Sequence, residues 1–403
     1  MPRRHLLLSL LACIVLTGCG QAWQKPSNST DMNGQLAYMA ERRDMPSHED
    51  GDAGDAVRWN AGRCAPAPRT AAVGRASVVS DAAMPLSPGD LVRLTLPGNE
   101  APSGLFKVDS AGVISFDQLG DLQVRGLTIQ QAEAELGRRL VASGFFRPGH
   151  ARASLKLLDR GAIRVRVAGA VFQPGQVVIN QKGQADRDPT RDTAAGDHAL
   201  GRSLSNALSN AAGVRPDADI TRIAVTRGGQ RQTFDLTGLL AGEPGSDVLL
   251  ADGDQVEVPS QGCFQAELAR PSPITMPGVR AFISNLTTPA ASNASAAVGR
   301  EATTFPYGTR FLQALTSGNC IGGTQSTNAD RWGVLISTNP ITGRTEVVER
   351  RIEALVRRAD RDGYNPVILP GDAVACYDSG ITNLRDVMRT VRDVLLGGPS
   401  GLF

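Results

Sequence analysis

A repeated segment constrains this chain more than any single motif. Residues 163–259 open with a strand-like run and a turn at Gln173-Pro-Gly-Gln176. They continue through a short helical pattern and a hairpin, and they end on the turn Asp252-Gly-Asp254 and another strand-like run. The same order of elements recurs over residues 274–378. The repeat therefore predicts two related modules of about a hundred residues each, and internal repeats determine architecture before motifs do.

The composition favours short strands joined by turns. The 403 residues include 44 Gly and 24 Pro, and only 4% are aromatic, which suits strands and turns better than a helical bundle. A chain of this length predicts two to four domains. The net charge of +2 gives no electrostatic reason to expect a nucleic-acid partner.

The N-terminal residues have the pattern of a bacterial export signal. Arg3 and Arg4 precede an apolar run at residues 6–16, which is too short to span a bilayer comfortably. The following Leu16-Thr-Gly-Cys19 matches the lipobox of bacterial lipoproteins, which implies removal of residues 1–18 and acylation of Cys19. Several acyl chains give a lasting anchor, and a flexible tether over residues 19–80 would then follow. The alternative is an ordinary signal peptide in which the cysteine is coincidental.

Residues 81–160 have the pattern of one small α+β domain. The turn Ser87-Pro-Gly-Asp90 precedes a strand, and residues 106–116 predict a hairpin with its turn at residues 109–112. The sequence Thr128-Ile-Gln-Gln131 has the form of a capping box and opens an amphipathic helix over residues 128–141. Another strand is expected at residues 153–158.

The order of these motifs resembles that of a known family. The Ser87-Pro-Gly-Asp90 turn, residues 108–114 and residues 119–128 resemble the polysaccharide export domain of outer-membrane polysaccharide export (OPX) lipoproteins. The segments after it resemble the SLBB (soluble ligand-binding β-grasp) repeats of that family. The resemblance implies an α+β fold with an export domain at residues 81–160, β-grasp-like repeats at residues 161–261 and 272–379, and a C-terminal amphipathic helix at residues 380–403.

The resemblance also implies a function. It predicts an outer-membrane, lipid-anchored protein of a Gram-negative bacterium with its body in the periplasm. The chain would form an octamer-like homo-oligomeric ring, meet an inner-membrane polysaccharide copolymerase, and conduct a capsular or exopolysaccharide. Two alternatives stay open: a periplasmic ring that hands the polysaccharide to a separate outer-membrane β-barrel, and a monomeric sugar-binding lipoprotein.

The C-terminal segment predicts an amphipathic helix. Its apolar residues fall within one arc and are the candidates for a membrane-facing surface: Leu384, Val387, Met388, Val391, Val394 and Leu395. The resemblance implies that such helices from neighbouring subunits form a barrel through the outer membrane. About sixteen helical residues reach only ~24 Å, less than the ~30 Å hydrocarbon core. The alternative is therefore a helix packed on its own domain.

The cysteines predict two disulfides. Cys13 is lost with the signal and Cys19 is lipidated, so four cysteines remain and allow three pairings. We favour Cys320 with Cys376, because both lie in the second repeat, and Cys64 with Cys263, which would link the tether to the junction between repeats. No Cys-x-x-Cys or Cys/His cluster is present, so no metal site is expected.

No motif in the chain indicates catalysis or a cofactor. Nucleophile and phosphate-loop patterns are missing, and His48, His150 and His198 lie apart from any such motif. The carboxylates of Asp252 and Asp254 are spaced for a turn rather than for acid–base chemistry, so we expect no enzyme. The basic residues Arg350, Arg351, Arg357 and Arg358 are most simply a solvated face, or alternatively the lining of a lumen for acidic sugars.

Overall fold

The protein has a mixed α+β fold with several small sheets and few helices, which confirms the predicted fold class. This computed structural model describes residues 64, 84–96, 103–117, 119–149, 153–181, 200–243, 247–286, 304–321, 331–357 and 364–378. Within those ranges, no helix has the length and hydropathy needed to cross a membrane. The signal, the lipobox and the C-terminal segment lie outside them.

The chain divides into two compact units. One comprises Gly62–Pro277, and the described residues of the other lie within Gly278–Phe403. The predicted export domain and the predicted first repeat therefore share one compact unit.

The described part of residues 81–160, which we call the export segment after the domain predicted there, is built from two small sheets and one helix. Strand β1 (Leu91–Thr95) lies between β2 (Gly104–Lys107) and β5 (Ser154–Asp159), antiparallel to both, and β3 (Val113–Phe116) pairs with β4 (Gly120–Gln123). Helix α1 (Ile129–Ala142) packs one face against this core. The buried residues of that face are Ala132, Leu136 and Leu140. The expected capping box is confirmed, because the side chains of Thr128 and Gln131 each accept a backbone N–H of the other residue.

The predicted hairpin over residues 106–116 is wrong. The turn exists, with the Gly112 N–H donating to the Asp109 carbonyl at 3.1 Å and the Asp109 N–H donating to the Val113 carbonyl at 2.9 Å, but β2 and β3 on its two sides belong to different sheets. Strand β2 pairs with β1 and β3 pairs with β4. A local turn signal shows where the chain reverses, whereas the partner of each strand depends on the rest of the core.

The first repeat is a five-stranded sheet with a helix across one face. Its elements are β6 (Ile163–Gly169), β7 (Gly175–Ile179), a 3₁₀ turn (Leu200–Arg202), α2 (Leu204–Asn210), β8 (Ile223–Arg227), β9 (Gln230–Phe234), α3 (Thr237–Ala241) and β10 (Gln255–Val258). The strand order is β7-β6-β10-β8-β9, and the central pair β6 and β10 is parallel. The predicted β8–β9 hairpin is confirmed, and Gly228 and Gly229 both have the positive φ that its two-residue turn requires.

The second repeat has the same order of elements. They are β11 (Gly278–Arg280), β12 (Phe282–Asn285), β13 (Thr304–Pro306), α4 (Phe311–Ser317), β14 (Arg331–Thr338), β15 (Thr345–Arg351), α5 (Ile352–Arg357) and β16 (Ala373–Asp378). The main sheet has the order β12-β16-β14-β15, with β12 and β16 parallel, and β13 pairs with β11. The single strand β6 of the first repeat thus corresponds to the two short strands β11 and β12. The parallel pairing of β6 with β10 matches that of β12 with β16, so residues 166–169 can be aligned with residues 282–285.

Candidate functional site

Three tight turns with the same geometry end on Asp90, Asp254 and Asp372. In each turn the carboxylate accepts the backbone N–H of the residue three positions earlier, over distances of 3.0, 2.8 and 2.8 Å. The glycine before each aspartate has a φ of 88°, 86° or 85°, in the left-handed region that favours glycine. The three aspartates are therefore turn-forming residues, as the sequence predicts.

The turns differ in the cations beside them. Asp90 pairs with two arginines, Arg160 and Arg202, and Asp254 pairs with Arg227 at 2.7 Å. For Asp372 the described residues provide no ion pair. The same local turn is thus placed in three different electrostatic environments.

Asp90, Arg160 and Arg202, which we call the Asp90 cluster, form a buried ion triad. Each of the three is at most 1% exposed. Arg160 donates to Asp90 Oδ2 at 2.9 Å, and the Arg202 guanidinium pairs with Asp90 Oδ1. Asp90 lies in the turn before β1, whereas Arg202 lies in the 3₁₀ turn of the first repeat. The cluster therefore joins the export segment to the first repeat.

Backbone groups satisfy the remaining polar atoms of the cluster. Arg160 also donates to the Pro85 carbonyl at 3.0 Å, and Arg202 donates to the Gly161 carbonyl at 2.7 Å. The Gly161 N–H donates in turn to Asp90 Oδ1 at 2.9 Å. Buried charges are strongly unfavourable unless they are both paired and hydrogen-bonded. Because this cluster meets both conditions only when the two segments are in place, it fixes their relative position.

A second set of contacts joins the same two segments. Arg125 of the export segment pairs with Asp252 of the first repeat at 2.8 Å, on a partly exposed surface. Asp252 also accepts the backbone N–H of Arg164 at 3.1 Å. The carboxylates of the Asp252-Gly-Asp254 turn are thus occupied by hydrogen bonds and ion pairs.

Ser337 occupies in the second repeat the place that Arg227 occupies in the first. The register shows this equivalence, because the residue after each turn aspartate pairs with Thr226 in one sheet and with Ile336 in the other. Burial raises the pKa of Asp372 to about 7, against the opposite effect of hydrogen bonds from the Leu369 N–H and Ser337. A carboxyl group that titrates near neutrality thus lies inside the second repeat.

The structure contains two disulfides. Cys64 is bonded to Cys263, and Cys320 is bonded to Cys376. The first bond closes the longer loop, with a sequence separation of 199, and the Cys64 N–H also donates to the Phe264 carbonyl at 2.9 Å. The second connects the end of α4 to β16 inside the second unit, where both of its cysteines are buried.

The outer face of the first repeat's sheet is polar. One cross-strand row on it consists of Arg166, Gln255, Thr226 and Arg231, which we call the polar row. Three of these side chains are exposed and Thr226 is half-buried. Arg231 also pairs with Glu257 at 2.8 Å on the same face. Such a face presents hydrogen-bonding and charged groups to water.

Among the described residues, the basic side chains predicted to share one face of the second repeat lie on different surfaces. Arg350 is buried and its guanidinium lies 4.4 Å from the ring centroid of Tyr364, which corrects the expectation that it belongs to a solvated face. Arg351 lies on the opposite face of β15, over the ring of Trp332. Arg357 is exposed and pairs with Glu353. Successive side chains of a strand point to opposite faces of the sheet, so Arg350 and Arg351 are separated. The prediction of one basic face did not take this alternation into account.

Several predicted sites lie outside the described residues. They are the lipidation site Cys19, Arg358, the three histidines of the predicted mature chain, and the apolar arc of the C-terminal segment. Among the described residues, no group of three or more His, Cys, Asp or Glu side chains could hold a metal ion.

The sequence reasoning missed the arginines that pair with the turn aspartates Asp90 and Asp254. Arg160, Arg202 and Arg227 stand in no motif, and a buried arginine has no local signature. Arg227 could have been found by aligning the two repeats, since only the first has a cation at that place. Arg160 and Arg202 could not, because their shared partner lies 70 and 112 residues away in the chain.

Comparison with known proteins identifies one part of the chain. Residues 79–156 match a family model described as polysaccharide biosynthesis/export protein. The matched range covers less than a quarter of the chain and coincides with the export segment. No curated protein matches the chain. The match supports a role in polysaccharide export.

Proposed function

We propose that this protein is an outer-membrane lipoprotein whose copies assemble into a ring that conducts a capsular or exopolysaccharide out of the cell. The observation that carries the proposal is the match of residues 79–156 to the polysaccharide biosynthesis/export family. The lipobox at Cys19 gives the anchor, and the body of each copy lies in the periplasm.

The Asp90 cluster supports a structural role for the export segment. The segment is joined to the first repeat through buried charges rather than through a mobile linker. A wall segment of a conduit needs this property, because its lateral contacts must hold their geometry while a polymer passes. Repeated modules also give each subunit several lateral surfaces, and cyclic symmetry can close such contacts into a ring.

The chain acts as a conduit and not as a catalyst. The carboxylates that could resemble a glycosidase pair are used by turns and ion pairs. The export segment faces the periplasm and binds an inner-membrane copolymerase, and the polysaccharide itself is the cargo.

Electron microscopy of the detergent-extracted full-length protein tests the proposal. We expect closed rings with a central opening, and size measurement by light scattering should give a multiple of the chain mass. A particle that is monomeric at every workable concentration would contradict the conduit and would favour the monomeric sugar-binding alternative.

Deletion of residues 383–403 tests how the conduit ends. If the C-terminal segments form the exit, the truncated protein should still assemble but should lose channel activity in planar bilayers. Unchanged channel activity would show that these residues are not the pore. A ring that never conducts, with or without them, would favour a separate outer-membrane β-barrel.

A further inference from the structure

The two repeats share a strand order but differ in the side chains of one cross-strand row on the outer face of the sheet. In the second repeat the row equivalent to the polar row consists of Phe282, Ala373, Ile336 and Val347, which we call the apolar row. The equivalence follows from the register, since Gln255 and Ala373 each come directly after the turn aspartate. Phe282 therefore stands where the first repeat has Arg166, and Ile336 stands where it has Thr226.

Two side chains of the apolar row are exposed although the fold does not require apolar residues there, and the other two, Ala373 and Val347, are half-buried. Phe282 is 67% exposed and Ile336 is 41% exposed. On the opposite face of the sheet, Ile283, Val374, Leu335 and Val348 are buried in the core of this unit. On the face of the apolar row, Val334 and Tyr377 are buried as well. The first repeat shows that the same sheet is stable with arginine, glutamine and threonine in this row. Exposed apolar residues at these positions therefore indicate a contact surface rather than a folding requirement.

Exposed apolar side chains are concentrated in the second unit. Of the eight large apolar side chains that are exposed in the described part of the chain, six lie between Phe282 and Val356. They occur on both sides of the unit. Helix α4 covers the inner face of the sheet, α5 packs beside α4, and Val356 of α5 is 46% exposed on that helical side.

The distribution of these side chains favours a second copy of the same chain as the partner. The four side chains of the apolar row offer well under the ~800 Å² per partner that a stable pairwise contact buries, so one such contact would be weak, and a ring, in which every copy makes two of them, fits the row better than a dimer. Apolar groups on two opposite sides of one unit fit a head-to-tail contact, in which each copy uses both sides. Such contacts are heterologous and close into rings when the rotation between copies allows.

We propose that the apolar row of one copy binds the helical side of the second unit of a neighbouring copy. This inference rests on the proposed ring and specifies the surface that builds it. The first repeat, with its polar row, then keeps its outer face in water. The two repeats thus have different roles. The second repeat forms the contacts between copies, and the first repeat keeps its outer face in water.

The test transplants the residues of the first repeat into the second. The variant carrying Phe282→Arg and Ile336→Thr has the side chains that the equivalent sheet already tolerates, so its fold and both disulfides should be kept. Mass photometry of the full-length protein in detergent should show loss of the multimer at concentrations where the parent protein is fully assembled. The matched control, Arg166→Gln and Thr226→Ser in the polar row, should assemble like the parent. Circular dichroism and a free-thiol count verify that both variants are folded.

The outcomes separate this inference from the proposed function. If the parent forms rings and the double variant forms the same rings, the apolar row is not the interface, while the conduit stands. If the parent itself is monomeric, the conduit fails and this inference fails with it.

A photoreactive residue at position 282 identifies the partner. The inference requires a cross-linked product of two copies joined between position 282 and the 352–357 helix. A cross-link within one chain, or to a different protein, would overturn it.

Discussion

At the scale of single residues, this protein shows how one turn motif acquires different roles from its surroundings. Asp90, Asp254 and Asp372 cap equivalent turns with nearly identical distances. The first is enclosed by two arginines, the second has one, and the third has the hydroxyl of Ser337 in the corresponding place. The local bond makes the turn, and the neighbouring residue determines what a mutation or a change of pH does there.

Replacing Asp90 should weaken the folded protein strongly. In Asp90→Asn the guanidinium groups of Arg160 and Arg202 stay buried without a counter-charge, which costs roughly 3–5 kcal/mol for a buried pair. Denaturant unfolding followed by far-ultraviolet circular dichroism measures the change. The control is Asp252→Asn, which loses the partly exposed pair with Arg125 and should cost about 1 kcal/mol or less. Equal effects of the two substitutions would contradict the role given to the Asp90 cluster.

Asp372 should make the second unit less stable as the pH rises. Its pKa is raised to about 7 in the folded protein, so the folded state retains a proton that the unfolded state releases near pH 4. Stability is therefore greatest below pH 4 with respect to this group, and it falls between pH 4 and pH 7 by up to ~1.4 kcal/mol per pH unit. Asp372→Asn should remove this slope.

Trp332 provides the measurement of this slope. In a background with Trp23→Phe and Trp59→Phe, Trp332 is the single tryptophan. It lies on β14, which pairs with β16, the strand that follows Asp372. Its fluorescence during urea unfolding at several pH values gives the stability of the second unit. Asp254→Asn, a change in the other unit, should leave the slope of this transition unaltered. A flat profile in the parent would show that Asp372 is charged at no energetic cost.

At the scale of elements, the second unit is held together by a covalent link between its helix and its last strand. Cys320 follows α4, and Cys376 lies on the buried face of β16 beside the core. Apolar packing already holds the helix on the sheet beside β16, since a side chain at Gly333 of β14, the residue paired with Cys376, would meet Phe311 and Leu315 of the helix. The disulfide adds to this packing by restricting the unfolded chain.

Removing the Cys320–Cys376 bond should destabilise the second unit. The bond closes a loop with a sequence separation of 56, for which chain entropy gives roughly 4 kcal/mol. In Cys320→Ala with Cys376→Ala, the Trp332 transition should therefore shift to markedly lower urea. Cys64→Ala with Cys263→Ala removes the other bond and should leave the Trp332 transition in place, because that bond lies in the other unit. If the two double cysteine variants shifted the Trp332 transition equally, the two units would unfold together.

At the scale of the whole molecule, we propose separate tasks for the anchor, the export segment and the repeats. The segment matched to polysaccharide export proteins is fixed to the first repeat, and the second repeat offers the apolar faces. The tether proposed for residues 19–80 would attach this body to the membrane. The proposed conduit uses all of these parts.

Lipidation should determine where the protein resides. Cys19→Ala removes the acylated thiol, so the protein should move from the membrane fraction to the soluble periplasmic fraction. Intact-mass analysis of the parent should show the mass of several acyl chains, and Cys13→Ala should behave like the parent because that residue is removed with the signal. A membrane-bound Cys19→Ala protein without an acyl mass in the parent would exclude the lipid anchor.

The sequence by itself determined the elements that depend on local chemistry. The Pro-Gly-Asp turns, the Thr128 capping box and the β8–β9 hairpin follow from residues within a few positions of each other, where turn and capping geometry is decided. The α+β class followed as well, because it depends on hydrophobic periods and on Gly and Pro punctuation along the chain.

Only the tertiary structure decided which distant residues meet. It paired β2 with β1 instead of β3, and it brought Arg202 to Asp90 across 112 residues. It also placed Arg350 inside while Arg351 lies on the other face of β15, and it put apolar residues in the row of the second repeat whose equivalent in the first repeat is polar. These features depend on register and on long-range burial, and a one-residue shift in register would reverse them, so no local pattern contains them.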